Sequence, residues 1–269
     1  IIYPIVMGWQ WGGGWLAELG FSDFAGSTLV HSTGGAAALA GAIIIGPRLG
    51  RFMKSGAPAP LKPFAASSIP LVTIGVFILW LGWFGFNGGS QLAMGTAVDA
   101  IAVSTIFMNT FLAGAGGVVG AAIITRLHFG KTDVVQMLNG CIGGLVAVTA
   151  EPLAPSPLAA ILIGAVGGLI VVYGTKLLFS LKIDDVVGAI PAHLFAGIWG
   201  TLIVPATNSD AVFSSQLIGV LSINIFVFIV AYIVFSVMKA TIGLRLSKEG
   251  ETKGTDVTET GVIAYAIRD

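Results

Sequence analysis

Charge is scarce in this chain. Of its 269 residues only 10% are Asp, Glu, Lys or Arg, against 55% hydrophobic, and the mean hydropathy is +0.94. A soluble domain carries about 25% charged residues, so a water-soluble globular fold is excluded. Cysteine is nearly absent as well. Cys141 stands alone inside an apolar run, which excludes an internal disulfide and reads as a small packing residue. Strict alternation of apolar and polar residues over ~10 positions is missing, which excludes a membrane β-barrel. A charged leader followed by a cleavage site is missing too, so the start is not a signal peptide. The chain opens at Ile1, partway through an apolar segment, and is read as lacking helices that precede it.

Long apolar runs are what the sequence does have. They cover 24–47, 69–90, 101–125, 134–150, 158–181, 186–204 and 217–238, with the end of an eighth over 1–15. A helix needs roughly 20 apolar residues to cross a bilayer. The expectation is an all-α integral membrane protein, a bundle of seven full spans plus a partial one over residues 1–243, followed by a solvated tail over 244–269.

Basic residues fall on one side only. With alternate loops counted, Arg48, Arg51, Lys54, Lys62, Arg126, Lys131, Lys176, Lys182 and all those from Lys239 onward share a face. The intervening loops hold Glu18, Asp23, Asp99, Glu151 and Asp210 and no Lys or Arg. By the positive-inside rule the basic face and the C-terminus are cytoplasmic. The loop 48–62, with Pro58 and Pro60, reads as a flexible basic turn, and Asp184 reads as a solvated carboxylate.

Two stretches share the pattern Asp-x-x-Gly-x-x-x-x-His: Asp23, Gly26, His31 and Asp185, Gly188, His193. The loop count makes their helices antiparallel. With each helix starting at its Asp, each imidazole sits ~12 Å inside it, which leaves the rings ~6 Å apart along the normal of a ~30 Å slab. Ionisable rings at mid-membrane usually mark a pathway. A neutral imidazole both donates and accepts, so a pair can share or relay a proton. The Asp residues read as helix caps. Matching motifs on opposed helices are the mark of an inverted repeat, and seven spans are too few for two full copies.

Aromatics gather at Trp83-Phe84-Gly85-Phe86-Asn87-Gly88-Gly89-Ser90. Phe86 and Ser90, four apart, share a helix face. With Trp11 they suit a cation–π cup with one hydroxyl acceptor. Glycines, 38 in all, cluster inside the runs, as at Gly116-Gly117, Gly143-Gly144 and Gly167-Gly168, and predict tight helix packing with narrow conduits.

These residues resemble the ammonium transporter, methylammonium permease and Rhesus protein family. The carrying stretches are Asp23-Phe-Ala-Gly-Ser-Thr-Leu-Val-His31, Trp83 to Ser90, Asp184-Asp185 through His193 with Ala-Gly-Ile-Trp-Gly, and Gly243-Leu-Arg-Leu. The resemblance implies the ammonium-transporter fold, an inverted-repeat bundle with eleven helices in the intact protein. It implies that His31 and His193 are twin pore histidines and that Trp11 and Ser90 recruit ammonium. Phe86 then matches a gate phenylalanine, Trp83 lines the pore, and Asp23 supports the outer site. It further implies ammonium or ammonia (with methylammonium a possible substrate) as cargo, no cofactor, no enzyme activity, a homotrimer in the cell membrane, and a PII-type regulator at the cytoplasmic face. Departures are Val186 where the family often has Pro, Glu151 at the outer mouth, Gly254-Thr255-Asp256 for Gly-Leu-Asp, and no His-Gly-Glu before Ala264-Tyr265. Two rivals stand beside transport: an ammonium sensor signalling through the tail, and an intramembrane redox enzyme with His-ligated haem.

Overall fold

Inside a bilayer every backbone N–H and C=O must be satisfied within the segment, so each apolar run is bound to coil. A computed structural model describes residues 1–52, 64 and 66–264, and among them it contains helices and no strand. They are α1 (Ile2–Gln10), a one-turn α2 (Trp15–Glu18), α3 (Ser27–Ile45), α4 (Ile69–Gly89), α5 (Ala97–Phe129), α6 (Val134–Val148), α7 (Pro157–Ser180), α8 (Ile190–Ala206), α9 (Phe213–Thr241) and α10 (Lys248–Lys253). Five of them, α3, α4, α5, α7 and α9, are long and apolar enough to cross a membrane. Two of the seven expected full spans are shorter: α6 has 15 residues, and α8 begins at Ile190 rather than 186. Lys54, Pro58, Pro60, Lys62 and Tyr265 lie outside the described residues.

Local chemistry sets the boundaries. Ser68, Asp133 and Ser156 each accept a backbone N–H from the first turn of α4, α6 and α7. Thr96 and Asp99 close a reciprocal capping box on α5, so Asp99 belongs to that helix and not to a loop. Gly130 ends α5 in the left-handed conformation, at φ 70°. His128 therefore sits in the last turn of α5, which extends past the apolar run 101–125, and its Nε2 lies 2.7 Å from the Tyr173 hydroxyl.

Small residues set the packing. In α5, α6 and α7 the glycines face one another's backbones: a Cβ on Gly168 would lie 2.1 Å from the Gly117 carbonyl oxygen, and one on Gly117 2.1 Å from that of Gly140. This is the tight packing expected, a three-helix block with no room for side chains at its crossings. Against it lie α8 and α3, and α9 packs along α3. Cys141 is buried in the block, a free thiol among Ile142, Leu145 and Val171.

The ends of α3 and α9 and the start of α8 meet at the basic face. Arg48 makes two hydrogen bonds to the Asp184 carboxylate through its side chain, at 2.8 and 2.9 Å, and Arg51 adds a third at 3.1 Å. Asp184 is 7% exposed and is not the solvated carboxylate expected. Hydrogen bonding by Arg48 and the charges of Arg48 and Arg51 hold its carboxyl below the usual range against the opposing effect of burial. Further out, Glu251 takes the Leu49 N–H and both arms of Arg245.

Candidate functional site

The two Asp-x-x-Gly motifs fold alike. Asp23 is 2% exposed, and its two oxygens accept the N–H groups of Gly26, Ser27, Thr28 and Leu29 at 2.8–3.1 Å. Asp185 accepts those of Gly188, Ala189 and Ile190 at 2.8–3.0 Å. To turn the chain into these caps both glycines take positive φ, 112° at Gly26 and 80° at Gly188. The Asp residues are thus helix caps, as read from the sequence. The helices start later than the Asp, at Ser27 and Ile190, and their first turns are π-helical. The His31 N–H reaches back five residues to the Gly26 carbonyl. Each histidine therefore lies about one turn inside its helix, not eight residues in.

The rings meet all the same. His31 Nδ1 and His193 Nδ1 are 3.3 Å apart, with ring centroids at 5.3 Å and planes 26° apart. Four residues beyond each histidine stands a glycine that permits the approach. A Cβ on Gly35 would lie 2.5 Å from the Leu194 nitrogen, and one on Gly197 2.4 Å from the Ser27 carbonyl oxygen. The shared unit is therefore Asp-x-x-Gly-x-x-x-x-His-x-x-x-Gly, and its last position escaped the sequence reading although the period was there to find. The Arg48–Asp184 pair joins the end of α3 to the segment before α8, so the two helices run antiparallel.

Aromatic rings flank His31. Trp83 stacks on His31 at 4.8 Å and 17°, and Phe86 lies 5.2 Å from the same ring. His31 Nε2 is buried with no hydrogen-bond partner. If one Nδ1 donates to the other, one ring offers its Nε2 as acceptor and the other as donor. The pair can then take a hydrogen bond at one end and give one at the other.

Trp11 and Ser90 are placed differently. The Trp11 indole donates to the Asp23 carbonyl at 2.9 Å, which ties it to the first cap. Ser90 is the C-cap of α4, and its hydroxyl donates to the Phe86 carbonyl at 2.9 Å. With its proton so engaged, that hydroxyl can only accept from a ligand. Glu151, unexpected from the sequence, clamps a loop: it accepts the N–H groups of Leu153 and Ala154 and the Asn208 amide. Thr28 and Thr201 share a buried hydroxyl contact at 2.7 Å, which no motif announced.

Residues 1–265 match the model of the Ammonium Transporter Family. The chain belongs to that family. Its relatives include a candidate ammonium transporter of Synechocystis sp., 45% identical over 97% of this chain and 59% of that protein. Ammonium transporter Amt2 of Archaeoglobus fulgidus is 39% identical over 98% of this chain and 62% of its own length. The chain thus spans about 60% of the curated relatives it matches first. The solved structure of a sensor Amt protein superposes with a TM-score of 0.90 at 34% identity, over 97% of this chain and 67% of that one. Candida albicans Mep2 follows at 0.82 and 28%, over 97% and 60%. Family membership and helices of this kind make the chain part of a multi-pass membrane protein with the ammonium-transporter fold, and the family is one of transporters rather than enzymes.

Proposed function

We propose that the gene product carrying this chain conducts ammonium nitrogen across the cell membrane through the His31–His193 pair. The observation that carries this reading is the contact of two imidazoles, one of them, His31, with an unclaimed buried Nε2 and two aromatic rings beside it. Ammonium and potassium are close in size, so a cavity alone separates them poorly. Ammonium differs in donating hydrogen bonds and in being able to lose a proton. Trp11, Phe86 and the accepting hydroxyl of Ser90 recruit the cation, and Asp23 supports that site by holding the turn and the Trp11 indole in place. Further in, a charge at mid-membrane costs at least about 3 kcal/mol, which lowers the pKa of the bound cation by roughly two units. Ammonia then passes Phe86 and Trp83 and exchanges hydrogen bonds with the histidines, which relay the proton.

The one-sided distribution of Lys and Arg orients the basic face and the 244–269 tail to the cytoplasm. Family membership is the support for a homotrimer and for a PII-type regulator at that face, and methylammonium is a second candidate substrate. A sensor reading has one support, the likeness to a sensor Amt protein. One assay separates the two: the gene product in proteoliposomes, with charge movement recorded on rapid ammonium or potassium addition. Conduction predicts a sustained signal with ammonium and none with potassium. Equal potassium current contradicts it, and binding without flux favours the sensor.

A further inference from the structure

Thr149 lies outside both histidine motifs, yet it touches both the Asp23 turn and the aromatic wall. It is the C-cap of α6 and is fully buried. Its hydroxyl proton goes to the Leu145 carbonyl at 2.7 Å. Only lone pairs remain, and the Trp83 indole N–H, which can only donate, takes one at 2.9 Å. Because α6 ends here, the Thr149 carbonyl has no helical partner, and it accepts the Ala25 N–H at 3.0 Å. The next carbonyl, of Ala150, accepts the Phe24 N–H at 2.8 Å.

The indole is thereby fixed with its face, not its N–H edge, toward His31. A buried N–H cut loose from Thr149 needs another acceptor. The imidazole stacked on it holds one when its proton is on Nδ1: His31 Nε2, buried and without a partner. An indole N–H bonded there would hold His31 in a single tautomer and occupy the atom that faces the cargo. We infer that Thr149 is a positioning residue whose hydroxyl holds the Trp83 N–H and so keeps His31 Nε2 open to the passing nitrogen. This rests on the proposed conduction through the histidine pair.

The test compares Thr149→Val, which keeps shape but loses the hydroxyl, with Thr149→Ser, which keeps it. Ammonium flux in proteoliposomes is normalised to folded protein, and Trp83→Phe, Trp83→Phe/Thr149→Val and His31→Ala are measured alongside. Thr149→Val is expected to lower the maximal rate about ten-fold with KM nearly unchanged, the loss of one buried hydrogen bond acting past the recruitment step. Thr149→Ser restores the rate, and Thr149→Val adds no loss once Trp83 is Phe, which has no N–H to hold. Wild-type flux in Thr149→Val, an equal loss in Thr149→Ser, or a further ten-fold fall on Trp83→Phe would each overturn the inference. Wild-type flux in His31→Ala would overturn the conduction reading along with it, whereas a His31→Ala loss beside an active Thr149→Val leaves that reading standing.

Discussion

Both carboxylate oxygens of Asp23 are occupied by backbone N–H groups, so this side chain organises the turn before His31 and does not touch the ring. Asp23→Ala leaves four buried donors without partners and is expected to cost about 3 kcal/mol, or roughly 8 °C in Tm. Thermal unfolding in detergent checks it, and Asp23→Asn, which keeps one acceptor oxygen, should lose less. The histidines, the Asp caps and their glycines were legible in the sequence because a repeated spacing exposes them. Thr149, Thr28 and Thr201 were not, because a hydroxyl in an apolar helix looks the same whether it bonds its own turn or a distant side chain.

Between helices the deciding contacts are backbone against backbone. Gly168 has no space for a methyl group, since its Cβ would overlap the Gly117 carbonyl, whereas Gly34 and Gly75 have nothing within 4 Å. Gly168→Ala should destabilise by about 2 kcal/mol through overpacking. Gly34→Ala should be neutral or stabilise by up to ~0.5 kcal/mol through helix propensity. Denaturation of the two variants under one condition separates them, and equal effects would mean that the block is loosely packed. The runs of hydropathy gave α4 and α7 to within one residue and cut α5 and α9 short by up to four at each end. They misplaced the starts of α3 and α8 because an Asp cap, a left-handed glycine and a π-helical turn come between the motif and regular helix. Hydropathy does not register any of the three.

Across the molecule, the basic face is tied together by ion pairs that bring distant segments into contact. Asp184 joins Arg48 and Arg51 across 136 and 133 residues, and its carboxyl is held below the usual range. A carboxyl with a depressed folded pKa contributes stability above its unfolded value and loses it as pH falls through the folded one. The Tm gap between wild type and Asp184→Asn should therefore be constant from pH 6 to 8 and shrink below about pH 4. A gap that widens in acid would place the carboxyl's pKa above its unfolded value. Charge counting assigned these arginines to one face but missed Asp184 as their partner, since position along the chain does not encode burial.

The central claim is that His31 and His193 act as one conducting unit. Ammonium flux through wild type, His31→Ala, His193→Ala and the double variant, all in proteoliposomes, tests it most directly. Each single change should lower flux at least about ten-fold, and the double should lower it little further, because the second ring has lost its partner. Flux near wild type in the double variant, or single losses that simply multiply, would contradict the account.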